Sequence, residues 1–170
     1  MAYRYLQRWN FLLNKVILEE PFLDEQVARE RYEAHKDWFT VVPDVPGIGE
    51  GQVVPDYVIE VMVAAPEFKV FFLHPSGAYR RVTTFSNIDG RLFAGDVSDY
   101  FYDGVPEADS EPLSIAGGQF TPDGGGKVVF QNLKTREREV REFRDVPVAD
   151  RWLDVPKFGA WEPLLTFESD

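Results

Sequence analysis

The chain has 170 residues, enough for one domain around a single sizeable core. Its 44% apolar and 15% aromatic content excludes a disordered chain, and 14 Phe, 7 Tyr and 4 Trp make rings the main source of core volume. A net charge of -11 opposes phosphate backbones and anionic membranes, and the absence of Cys excludes disulfides, thiol catalysis, iron–sulfur clusters and Cys-ligated zinc.

No apolar run approaches the ~20 residues needed to span a bilayer. The stretch from Met1 to Arg8 lacks the ordered basic, apolar and small-residue regions of an export signal. The expectation is a soluble, cytoplasmic, single-domain protein with no nucleic-acid or membrane partner.

In chain order, Tyr5, Leu6, Trp9, Leu12, Leu13, Val16 and Ile17 recur at helical spacing, which predicts an amphipathic helix ended by Pro21. Its charges run against the macrodipole, with Arg4 and Arg8 early and Glu19 and Glu20 late, so packing must hold it. Phe11 falls off the stripe, so the helix is either buried on more than one side or presents Phe11 to a partner. A second helix is predicted from Leu23 to Phe39, with Asp24 as N-cap and Glu25 in the first turn. Residues 1–39 are thus expected to form a helical hairpin. Residues 40–56, dense in Pro and Gly, read as a crossover loop.

Residues 57–145 carry the sheet. Tyr57–Val63, Phe68–Leu73, Tyr79–Phe85, Arg91–Phe93 and Tyr100–Tyr102 are β-branched and aromatic runs separated by turn residues, which predicts an antiparallel meander. The first two runs are apolar on both faces and belong in the centre. Gly95 predicts a bulge or bend in the fourth strand, which then continues to Tyr102. The acidic stretch Asp103–Glu111 reads as an exposed loop. Gln119–Thr121 and Lys127–Phe130 flank a glycine-rich hairpin turn. Arg136–Phe143, with charges of near-alternating sign on both faces, reads as an edge strand protected against unwanted pairing, with a short solvated helix as the other reading. The tail, residues 146–170, holds Trp152, Phe158, Trp161, Leu164 and Phe167 and is expected to pack back on the domain.

Chemistry-bearing patterns are sparse. His35 and His74 stand outside any ligand spacing, and no Gly-x-Ser-x-Gly elbow accompanies them. Asp96, Asp99 and Asp103 cluster in sequence, but on a strand Asp96 and Asp99 point to opposite faces and make no oxygen cage. The glycines at 47, 49 and 51 lack the dinucleotide spacing, and those at 124–126 lack the P-loop Ser/Thr. No catalytic residue, metal or cofactor is expected. The most suggestive segment joins Tyr100, Phe101 and Tyr102 to Asp103, Glu107, Asp109 and Glu111. Rings beside carboxylates suit an interface with a basic protein, the rings anchoring and the acids steering.

The expected fold is α+β: a helical hairpin on a bent antiparallel sheet, or partly closed barrel, of about six to eight strands. The pattern loosely resembles the cone-shaped sheets of nuclear-transport-factor-like proteins and the barrels of calycins. That resemblance implies a second possibility, a small-molecule or enzymatic pocket lined by Trp9, Tyr32, His35, Trp38, Phe72 and Tyr79. The leading expectation is a non-enzymatic, acidic protein-binding module of inhibitor or immunity type, or a subunit of a larger assembly.

Overall fold

The computed structural model describes residues 1–13, 15–16, 22–51, 53–64 and 67–168. Its strands are β1 (Tyr3–Leu6), β2 (Trp9–Asn10), β3 (Lys15–Val16), β4 (Phe22–Leu23), β5 (Trp38–Pro43), β6 (Tyr57–Met62), β7 (Glu67–Leu73), β8 (Tyr79–Ile88), β9 (Arg91–Phe101), β10 (Ser114–Phe120), β11 (Gly126–Asn132), β12 (Arg138–Phe143) and β13 (Trp152–Asp154). Two short helices, α1 (Glu25–Glu33) and α2 (Glu162–Leu165), complete it. An 11-stranded antiparallel sheet runs in the order β12-β11-β10-β9-β8-β7-β6-β5-β1-β4, with β13 beside the first half of β9.

The protein is therefore mostly sheet, not α+β, and the sheet is open rather than closed into a cone or barrel. The expected N-terminal helical hairpin is absent. Of the residues at helical spacing, Tyr5 and Leu6 serve the two faces of β1 instead, and Trp9 begins the separate short strand β2, which pairs with β3. Tyr5 enters the core on one face, and Leu6 and Trp9 enter the core on the other. A strand buried on both faces can use every apolar residue, so helical spacing carries no preference there. Leu12 and Leu13 sit in an exposed turn whose N–H groups donate to Asn10 Oδ1 at 3.0 and 3.1 Å. Ile17 and Pro21 lie outside the described residues.

The second predicted helix survives only as α1. Asp24 is its N-cap, accepting from Gln26 N–H at 2.8 Å. It stops at Glu33, and His35 (φ 52) and Asp37 (φ 58) adopt left-handed conformations that no helix can pass through. The chain then enters β5, because Trp38-Phe39-Thr40-Val41-Val42 is a β-branched and aromatic run. The expected crossover loop thus begins only after Pro43.

The sheet has two packed faces. One carries Phe39, Ile59, Val61, Phe68, Val70, Phe72 and Phe85, covered by α1 and by the C-terminal tail through Phe158, Trp161 and Leu164. The other carries Val42, Val58 and Leu73, covered by Trp9 and by Ile48 from the loop after β5. β9 changes phase at a bulge. Thr84 pairs with Asp96 and Phe85 with Ala94, leaving Gly95 unpaired. The extra residue turns Leu92 and Ala94 toward the tail-covered core. Beyond β9 neither face is covered to the same depth. β10 and β11 are half-buried and all six residues of β12 are exposed, so these strands form a single-layer wing.

Candidate functional site

A groove of about 420 Å³ opens on the face of the sheet opposite the tail, where the packed half meets the wing. Its floor is Tyr79 from β8, Tyr100 and Tyr102 at the end of β9, and Ile115 from β10. Tyr100 lies directly opposite Ile115, which fixes both side chains on this face. One wall is Phe11, whose ring sits 5.1 Å from Tyr79 and 4.7 Å from Phe71. The other is the loop between β9 and β10, which brings Asp109, Ser110 and Glu111 to the rim.

The floor is well ordered by its own contacts. Tyr79 and Tyr100 pack at 5.6 Å, and the Tyr102 hydroxyl donates to Tyr79 O at 2.9 Å. Burial pushes the hydroxyls of Tyr79, Tyr100 and Tyr102 above the ordinary tyrosine range, so all three stay neutral at physiological pH. His74 stands edge-on to Tyr102 at 5.5 Å, and burial, with the Arg80 charge, holds its pKa below the usual histidine value. The acidic loop is closed on itself: Glu107 N–H donates to Ser110 Oγ at 2.8 Å and Ser110 N–H to Glu107 O at 3.0 Å. Among the described residues, Asp103, Glu107, Asp109 and Glu111 make no ion pair; the acids that do are elsewhere.

The structure thus gathers Tyr100, Tyr102, Asp109 and Glu111 at one groove, with Asp103 and Glu107 on the same loop outside it. Phe101 points to the opposite face, 48% exposed. The second candidate set is not brought together. Trp9 is buried under the sheet on the groove side, while Phe72 is buried in the opposite core. Tyr32 borders that opposite core, its hydroxyl donating to Pro156 O at 2.6 Å and its pKa pushed up to about 12 by burial. His35 is exposed in the turn after α1. Trp38 lines a separate cleft with Arg8 and Glu60. Tyr79 alone joins the groove.

Asp96 and Asp99 lie on opposite faces of β9. Asp99 is engaged by Arg81, whose Nε and Nη2 donate to its carboxylate at 2.6 and 3.0 Å. Ile115 was not legible as a strand residue, because Gly117 and Gly118 follow it and dilute the β signal. Phe11 carried the one available hint, its position off the helical stripe.

Among the described residues, no helix is long and apolar enough to cross a membrane. No protein-family model, curated protein or solved structure matches this chain.

Proposed function

We propose that the chain is a non-enzymatic, acidic protein-binding module whose groove takes a basic, extended segment of a partner protein. The observation that carries this reading is the pairing of a neutral tyrosine floor with an uncompensated acidic rim. Tyr79, Tyr100 and Tyr102 offer ring faces to the aliphatic stem and charged head of Lys or Arg. Asp109 and Glu111 stand where the head group would emerge, and the net charge of -11 steers a cation toward them. The small-molecule alternative loses its enclosing barrel and its common lining, since Phe72 and Tyr32 border one core, Trp9 and Tyr79 the other, and His35 stands exposed in a turn.

The test uses two synthetic octapeptides, one alternating Lys and Leu, the other Glu and Leu, titrated into the full chain and followed by NMR. The Lys peptide should shift the ring signals of Tyr79, Tyr100 and Tyr102. A variant carrying Tyr100→Ala, Asp109→Asn and Glu111→Gln should bind it at least tenfold more weakly while remaining folded at the titration temperature, as circular dichroism verifies. Equal binding of the Glu peptide, or shifts confined to other surfaces, would refute the assignment.

A further inference from the structure

The outer edge of β12 has no partner strand among the described residues, and every side chain of that strand is exposed. Its backbone orientation follows from one bond: Asn132 N–H donates to Glu137 O at 2.9 Å. Residues 137, 139, 141 and 143 therefore aim their backbone groups at β11. By alternation the N–H and C=O groups of Arg138, Val140 and Glu142 face outward, unpaired. Such an edge is a template for another strand.

The charges about Val140 are self-complementary. A two-fold axis perpendicular to the sheet at Val140 sets Val140 against itself, Arg138 against Glu142 and Glu139 against Arg141. Every charged residue from 138 to 142 then meets its opposite. Moving the axis by one residue sets Glu139 against Glu139 or Arg141 against Arg141. Pairing the two strands in parallel and in register sets every charge against its like. We propose that β12 is a self-docking edge, which receives the β12 of a second copy of this chain in the antiparallel register centred on Val140.

The three outward-facing residues of each strand supply about six main-chain hydrogen bonds across the axis. The alternating charges reject other edges and other registers while admitting this one. In the single chain Arg141 already pairs with Glu139 at 2.6 Å, and because both are exposed the exchange for the second copy's partners costs little. A contact of six residues falls below the roughly 1,000 Å² of a persistent interface. The dimer is accordingly weak, concentration-dependent and salt-sensitive. This surface is separate from the groove, so either proposal stands if the other fails.

Sedimentation velocity of the full chain, from micromolar to near-millimolar concentration at low and high salt, reads the association directly. The expected result is a monomer–dimer equilibrium that weakens as salt rises. Val140→Pro removes the outward N–H at the axis and leaves the bonds to β11 intact, as edge proline does. It should abolish the dimer without lowering the melting temperature. Independently, Glu139→Arg sets like charges across both symmetric pairs and should weaken the dimer roughly tenfold. Adding Arg141→Glu to it should restore the dimer. A monomer throughout the range overturns the proposal. So does a dimer that ignores both the proline and the charge exchange.

Discussion

Trp161→Ala tests the way the tail completes the larger core. The indole is 0% exposed and stands edge-on to Tyr32 at 5.4 Å and to Phe158 at 5.8 Å, with Phe39 at 6.3 Å and Phe68 at 6.5 Å. Truncating a buried Trp to Ala costs about 3–5 kcal/mol, combining lost transfer energy with an unfilled cavity. Rings on all sides cannot collapse into that space, so the upper half of the range is expected. For a chain of this length each kcal/mol lowers the melting temperature by about 2–4 °C. The variant should therefore melt about 8–20 °C lower. Urea unfolding followed by far-ultraviolet circular dichroism gives the free energy, and an unchanged slope verifies that the transition is still two-state. Phe101→Ala is the matched control. That ring is 48% exposed and should change stability by no more than about 0.5 kcal/mol. A loss below about 1 kcal/mol for Trp161→Ala would mean that the tail rests on the sheet without belonging to its core.

Three further perturbations probe single interactions. Asp24→Ala removes the cap of α1 and should cost about 1 kcal/mol in the same urea assay, while Asp24→Ser should restore most of it. Asp99→Ala withdraws the carboxylate from the buried Arg81 and should cost about 1–3 kcal/mol, with Asp99→Asn costing less. Glu60 has its pKa raised by burial, against the opposing charges of Lys69 and Arg8. A raised folded pKa gives stability that is present below the unfolded value and lost as pH rises through the folded one. Glu60→Gln should therefore stabilise the protein at neutral pH, with the gain vanishing below about pH 4. Thermal melts across that range would contradict this if the gain were the same at every pH.

The middle of the chain was legible because two signals coincide there. From Tyr57 to Phe101, strand-length apolar runs alternate with turn residues, and consecutive runs pair as neighbouring strands. Gly95 marked the bulge because a glycine inside a β run has few other uses. Arg136–Phe143 read as an edge strand or a short solvated helix, because charge on both faces fits an element with nothing packed on it, and it is the strand that forms. At the N-terminus the signals conflict. Tyr5 and Leu6 satisfy a helical stripe and a doubly buried strand equally well, Trp9 continues the stripe although it starts a separate short strand, and the reversed order of Arg4 and Arg8 was the only local argument against a helix. Thr40 to Pro43 was hidden by the prolines and glycines that follow, although three of its four residues are fully buried. The groove was half legible. The rings and acids of residues 100–111 were adjacent in sequence, but the strand register that lays Ile115 beside Tyr100 comes from distant pairing.

The single-layer wing has a consequence for how this architecture can change. Each of β10, β11 and β12 pairs only with the strands beside it, and no residue of the three belongs to either buried core. A hairpin gained or lost at that margin would alter the length of the ribbon and leave the compact half untouched, much as a repeat array grows by one unit. Descendants of this fold can therefore differ in strand number at one margin while keeping every buried ring in place.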